Sequence, residues 1–237
     1  MPSDTTITWY GHGTWGYVTP GGVRLLVDPW LDGNPSCPDD LKQPEADLIL
    51  LTHGHGDHIG DVQALAARTG AQVIGKYELI MWLAGQGVEN VLGFNVGGRA
   101  ESRGIGFTMT NAVHSGSIVG ADGQIAGYGG EPAGYVIHLE NGESVYQAGD
   151  TAIFSDMALI GELYRPGLAI LPIGDFYTMG PFQAAHAVRL LGVREVLGGH
   201  WGTFPALTGT PQALRDELGR LGLGDVAVHD LAPGGRL

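Results

Sequence analysis

The residue pattern predicts an α/β fold, two sheets sandwiched between layers of helix, from three observations. Strand-type and helix-type segments alternate through most of the 237 residues after an opening of short strands and turns. Hydrophobic residues make up 43% of the chain and charged ones 16%, ample for a large core and far from a disordered composition. Four apolar strand candidates end in a His or Asp followed by small residues, and strand ends are where open α/β architectures place their chemistry. At this length, residues 1–237 are expected to form a single domain.

In chain order, short strands are expected at 5–9, 14–19 and 23–27, followed by an apolar strand at 46–52. Helices at 60–69 and 77–86 bracket a strand at 71–75. Strands at 105–113, 134–140 and 143–148 come next, then helix 154–163, strand 167–171, helix 181–191 and strand 194–198. Helix 210–221 has a clear start, with Thr210 as N-cap and Pro211 at the first helical position, where its missing N–H costs nothing. A strand at 225–229 ends the pattern. The 41 glycines have no collagen-like period and serve tight connections; six of them fall between Gly116 and Gly130, a mobile loop just after His114 and a candidate lid.

Residues 52–60 read Thr-His-Gly-His-Gly-Asp-His-Ile-Gly, so four potential metal ligands, His53, His55, Asp57 and His58, fall within six residues just past a buried strand. Alternate imidazoles at 53 and 55 point to one side of an extended loop, while Asp57 and His58 emerge on another heading. That geometry suits two adjacent cations better than one. Gly54, Gly56 and Gly60 let the backbone fold tightly around them. A solvated polar turn is the bland alternative, but three imidazoles and a carboxylate crowded without a cation titrate awkwardly near neutral pH.

Three later strands deliver single ligands: 105–113 leads to His114, 143–148 through Gly149 to Asp150, and 194–198 through Gly199 to His200. Asp150 has a competing role as N-cap of the helix at 154, although a carboxylate is also the natural bridge between two cations.

His53, His55, Asp57 and His58 match the His-x-His-x-Asp-His motif of the metallo-β-lactamase superfamily, and His114, Asp150 and His200 match its later ligands in order and spacing. The chain resembles that superfamily, and within it the UPF0173 metal-dependent hydrolases, relatives of the ascorbate-phosphate lactonases. Tyr10-Gly11-His12-Gly13, Asp28-Pro29-Trp30-Leu31-Asp32, Pro172-Ile173-Gly174-Asp175 and Thr178-Met179-Gly180-Pro181 carry the narrower likeness. The resemblance implies a four-layer αββα sandwich and a binuclear hydrolase. His53, His55 and His114 would take one metal, Asp57, His58 and His200 the other, with Asp150 bridging; Asp57 and Asp150 are the catalytic candidates. A shared hydroxide would attack an ester, lactone, amide or phosphodiester. An iron-dependent redox protein or a metal-stabilised binding protein of the same fold is the alternative.

Asp28 matches an acidic position that supports the metal loop from behind. His12 and Asp175 fall in the narrower motifs as candidate proton donors or substrate contacts. Phe182 and His186 depart from the pattern, since relatives place an acidic residue after Met-Gly-Pro and no histidine in the next helix. Trp201 departs in the same way after His200. Trp30, Phe176, Tyr177, Phe182 and Trp201 are candidate pocket residues, and His138 and His229 structural ones.

Mixed imidazole and carboxylate ligation suits two divalent ions, zinc first, with manganese or iron as alternatives. The net charge of −13 and pI near 4.9 argue against binding a phosphate backbone, so a small-molecule substrate and no nucleic acid are expected. Without a run of about 18 apolar residues no membrane span is expected. No cationic, apolar leader opens the sequence, which points to the cytoplasm. The single cysteine, Cys37, reads as a loop thiol. A homo-oligomer is left open.

Overall fold

The computed structural model of the chain describes residues 4–120 and 123–237. The first sheet consists of β1 (Thr6–Gly11), β2 (Thr14–Val18), β3 (Arg24–Val27), β4 (Leu48–Leu50), β5 (Gln72–Lys76) and β6 (Val91–Phe94), in that spatial order. Its first three strands form an antiparallel meander; β3 through β6 run parallel. The parallel pairs require crossovers, which α2 (Val62–Thr69) and α3 (Tyr77–Gly85) supply after a one-turn helix α1 (Gly56–Ile59).

The second sheet repeats the plan. β7 (Arg99–Ser102) and β8 (Ile105–Asn111) lead to a separate hairpin of β9 (Ser117–Val119) and β10 (Ile125–Tyr128). β11 (Ala133–His138), β12 (Ser144–Gln147), α4 (Met157–Tyr164), β13 (Leu168–Pro172), α5 (Pro181–Leu191), β14 (Glu195–Gly199), α6 (Pro211–Arg220) and β15 (Ala227–His229) follow. The order is β15-β14-β13-β12-β11-β8-β7, antiparallel from β7 to β12 and parallel from β12 to β15.

Strand alternation builds the layers, because successive side chains leave a strand on opposite faces. Leu48 and Leu50 of β4 join Ile7, Trp9 and Trp15, and meet Tyr135 and Ile137 of β11 and Leu168 and Ile170 of β13 in a core between the sheets. Their neighbours point outward. Ile49 and Leu51 pack under Leu65 of α2 and Leu79 and Leu83 of α3, while Val136, Ala169 and Leu171 pack under Met157, Val188 and Leu214 of the other helices. The result is a four-layer αββα sandwich. Helix 210–221 starts as the sequence requires: the Thr210 hydroxyl accepts from the Ala213 amide at 3.1 Å.

Several expectations need correction. β6, β7, β9 and β10 were not foreseen; β6, Val-Leu-Gly-Phe, is apolar but only four residues long and broken by Gly93, and β7, Arg-Ala-Glu-Ser, has no apolar pattern. The helix expected at 60–69 is α2, starting at Val62, and the one-turn helix α1 before it was not foreseen. The stretch 116–130 is a hairpin rather than an irregular loop, with Ile118 buried beside the first sheet's helices and the Val119 amide donating to the Gly54 carbonyl at 3.0 Å. Ala121 and Asp122 of the candidate lid lie outside the described residues. Helix α4 begins at Met157 with Asp156 in the cap position, so Asp150 caps no helix.

Candidate metal centre

The candidate ligands follow directly on strand ends: His12 on β1, Asp28 on β3, His53 just after β4, His114 after β8, Asp150 after β12 and His200 on β14. Tight turns at these ends aim the side chains into one place. His12, Asp28 and His200 all adopt positive φ, at 52°, 49° and 56°, a conformation that costs energy for residues with a Cβ and persists where surrounding structure enforces it. One enforcing bond runs between two of them, from the His200 amide to the His12 carbonyl at 2.9 Å.

Donor atoms gather in two main groups, with a third, Asp28, His53 and His58, spanning them from behind. His53, His55 and His114 form one; His12, Asp57, His58 and His200 form the other, and within each the candidate ligand atoms lie within 4.8 Å of one another. Asp150 lies between them. Its Oδ2 is 3.0 Å from His200 Nε2, 3.4 Å from His58 Nε2 and 3.7 Å from His114 Nε2.

Asp28 organises the loop from behind. Its Oδ1 accepts from the Thr52 amide at 2.8 Å, and its Oδ2 accepts from the Thr52 hydroxyl at 2.6 Å and from His58 Nδ1 at 2.9 Å. Because Thr52 spends its one hydroxyl proton on Asp28, its oxygen can only accept from His53 Nδ1, 3.0 Å away. His53 is thereby fixed with the proton on Nδ1 and the lone pair on Nε2, and His58 is oriented with Nδ1 toward Asp28 and Nε2 toward the cluster, where a cation would displace the second proton. His12 stands behind Asp57: fully buried, it donates Nε2–H to Asp57 Oδ2 at 3.0 Å and accepts at Nδ1 from Thr203.

Burial pushes His53 well below the usual imidazole range and lowers His55 and His114 in the same way, reinforced by neighbouring histidines. It also brings His12 down to about 4, with the Asp57 hydrogen bond opposing. His58 goes the other way: burial alone would lower it, but the carboxylates of Asp150 and Asp28 hold it well above the ordinary value. Asp150 and Asp57 are both held low, against the effect of burial, by His200 and His58 in the first case and His12 and His58 in the second.

These residues fit divalent cations on their own chemistry. Three imidazoles are kept neutral and two carboxylates ionised, the protonation states that metal ligation needs. His200 Nδ1 is buried without a hydrogen-bond partner among the described residues, while His58 Nε2 and His200 Nε2 crowd around Asp150 Oδ2 without hydrogen-bond geometry, an arrangement that a cation among them would relieve.

Beside Asp57 opens a cavity of about 630 Å³, walled by Trp30, Ile59, Trp82, Leu83 and Val119 and edged by Asp32 and Asp61. Of the aromatic residues expected at a pocket, only Trp30 lines it. Trp201 instead stacks on Trp9 at 5.2 Å and packs against the core, while Phe176, Tyr177 and Phe182 are exposed elsewhere. Asp175 and His186 also stand apart from the cluster: Asp175 accepts from the Phe176 amide, and His186 contacts Arg189 and Phe182. His138 pairs with Thr108 and His229 with Glu195. Cys37 is buried, which pushes its thiol up to about 11, unsuited to nucleophilic attack. Sequence reasoning missed Thr52, Thr203 and Trp82. A threonine directly before the first motif histidine was the one visible signal among them.

Residues 23–201 match the model of the β-lactamase superfamily domain. A UPF0173 metal-dependent hydrolase of Rubrobacter xylanophilus is 50% identical over 238 residues, covering 100% of this chain and 98% of the relative. The chain belongs to this family. A second UPF0173 metal-dependent hydrolase, from Roseiflexus, is 49% identical over 237 residues, with 98% and 96% covered. Among solved structures, Igni18, a metallo hydrolase from the hyperthermophilic archaeon Ignicoccus hospitalis, superposes with a TM-score of 0.84 at 35% identity, covering 98% of this chain and 97% of that one. Among the described residues no helix is long and apolar enough to cross a membrane.

Proposed function

We propose that this UPF0173 protein is a binuclear hydrolase of a small molecule. His53, His55 and His114 would hold one divalent ion and Asp57, His58 and His200 the other, with Asp150 shared. Zinc is the first choice for both, manganese or iron the alternatives. The reading rests most heavily on Asp150, a single ionised oxygen within reach of imidazoles from both groups. Bound divalent cations would supply Lewis acidity, polarising a carbonyl or phosphoryl oxygen and acidifying water.

The protein's own residues do the rest. Asp28 and Thr52 hold the His53 and His58 lone pairs forward. His12 keeps Asp57 turned by one oxygen, and the other makes no hydrogen bond among the described residues, which would leave it to the second ion. The cavity admits a small molecule and is too small for a folded macromolecule. The chain works as one catalytic unit in the cytoplasm, without nucleic acid.

The test pairs elemental analysis with activity. About two ions per chain and hydrolysis of an ester, lactone or phosphodiester, lost on chelation, are expected. A fully metallated protein that turns over none of these substrates would sink the hydrolase reading, and a single ion per chain the binuclear one.

A further inference from the structure

The cavity's walls carry information about what enters it. Trp30 and Trp82 present indole surface, Ile59 and Leu83 add apolar area, and Asp32 and Asp61 bring carboxylates to its edge. No Lys or Arg lines it among the described residues. Trp30 is held in place by edge contact with His12, ring centroids 5.1 Å apart, and by Phe204 at 6.1 Å. Asp61 is fixed by accepting from the Leu31 amide, while Asp32 is exposed at the mouth.

Such a lining discriminates by charge. Away from the ions proposed at Asp57, an anionic substituent would face carboxylates with no cationic side chain to pair with and would lose its hydration on entry. A cation gains twice, from the indole faces and from the carboxylates. The wider field agrees, since the chain carries a net charge of −13.

We infer that the cavity takes a small molecule bearing an ammonium-type cation on an apolar body, the cation between Trp30 or Trp82 and the carboxylates of Asp32 and Asp61. The inference rests on the proposed hydrolase only for the placing of the scissile group, at Asp57. Hydrolysis of such an ester consumes one water, breaks the acyl C–O bond and releases a carboxylate, an alcohol and a proton.

Two measurements on the metal-loaded protein separate the inference from the reading beneath it. The first is binding, by tryptophan fluorescence or NMR titration, of benzyltrimethylammonium against phenylmethanesulfonate. The cation should bind at least about tenfold more tightly, and Asp32→Asn should cut that margin severalfold. Equal or tighter binding of the sulfonate overturns the inference whatever the activity. The second is turnover of benzoylcholine against its uncharged carbon isostere, 3,3-dimethylbutyl benzoate, with a higher kcat/KM expected for the cationic ester. Cation-selective binding with no turnover of either ester keeps the binding class and counts against the hydrolase. Turnover of both without preference keeps the hydrolase and overturns the substrate class.

Discussion

The two halves of the centre are built differently. His53, His55 and His114 come from one loop and one strand end, consist of imidazoles alone, and leave His55 and His114 partly open to solvent. His12, Asp57, His58 and His200 come from three strand-end regions far apart in sequence, mix imidazole with carboxylate, and include two residues in left-handed backbone. The first half is locally encoded and inexpensive to form. The second is assembled by the whole fold, which holds strained residues and a charged imidazole in place before any ligand arrives. The contrast predicts that the second half is the more sensitive to packing and the first to direct competition for its lone pairs.

The largest effect should come from Asp150, the one residue belonging to both halves. Asp150→Asn removes the charge that holds His58 and that would offset repulsion between the two proposed cations. Turnover should fall more than about 100-fold with loss of at least one ion, and the metal-free protein should melt below the parent, not through loss of a helix cap but because Asp150 is one of the two carboxylates that hold the charged His58. Activity, metal content and a thermal melt on one preparation decide it; an active, two-metal Asp150→Asn protein removes Asp150 from the bridge.

Gly13→Ala should break the comparison on one side only. A Cβ at Gly13 would lie 2.6 Å from His58 Cε1, well inside contact distance, so the ring must leave its bond to Asp28. The expected result is one ion retained by the first half and one lost from the second. Elemental analysis showing both ions kept would mean that His58 has room to adjust.

Legibility divides along the same line. The first half could be read because its ligands stand in one motif and after one apolar strand. In the second half, His58 and Asp57 were legible from that motif and His200 from its strand, but the pairing of His12 with Asp57 was not, since 45 residues separate them and only the folded sheet joins them. Thr52 and Thr203 look like ordinary strand-end hydroxyls, and their role arises from proton counting around Asp28 and His12. Trp201 misled because its neighbour His200 enters the site while its own ring turns back on Trp9. The layers themselves were legible because Leu48 to Leu51 and Leu168 to Leu171 are apolar on both faces, as strands covered on both sides must be. Four-residue β6, broken by Gly93, and polar β7 offered no such run.

Titration sharpens the contrast at His58, which responds to pH with the opposite sign to the lowered imidazoles of the first half and of His12. The first-half imidazoles have lowered values, so in the metal-free protein their contribution is fully present above about 6.5, the ordinary histidine value, and is lost as pH falls through their folded values. His58 is raised, so its contribution is fully present below about 6.5 and is lost as pH rises through its folded value, leaving Asp28 and Asp150 without the positive charge between them. Melts of chelator-treated protein across pH should therefore show a stability maximum with a limb falling on each side. His58→Asn should flatten the alkaline limb alone, and a monotonic profile in the parent would contradict the opposed titrations.

The smallest effect tests how far the second half depends on its outermost support. Thr203 donates its hydroxyl proton to His12 Nδ1, which leaves the Nε2 proton for Asp57. Thr203→Val keeps the shape but leaves a buried nitrogen unpaired, at a cost of about 1–2 kcal/mol in stability. If the hydroxyl also fixes the His12 tautomer, affinity for the second ion should drop by roughly 10-fold as Asp57 loses its anchor, with the first ion unaffected. Thr203→Ser, which restores the donor without the methyl group, should recover most of that affinity. A Thr203→Val protein that loses stability while binding both ions as before would confine Thr203 to packing and place the boundary of the second half at His12.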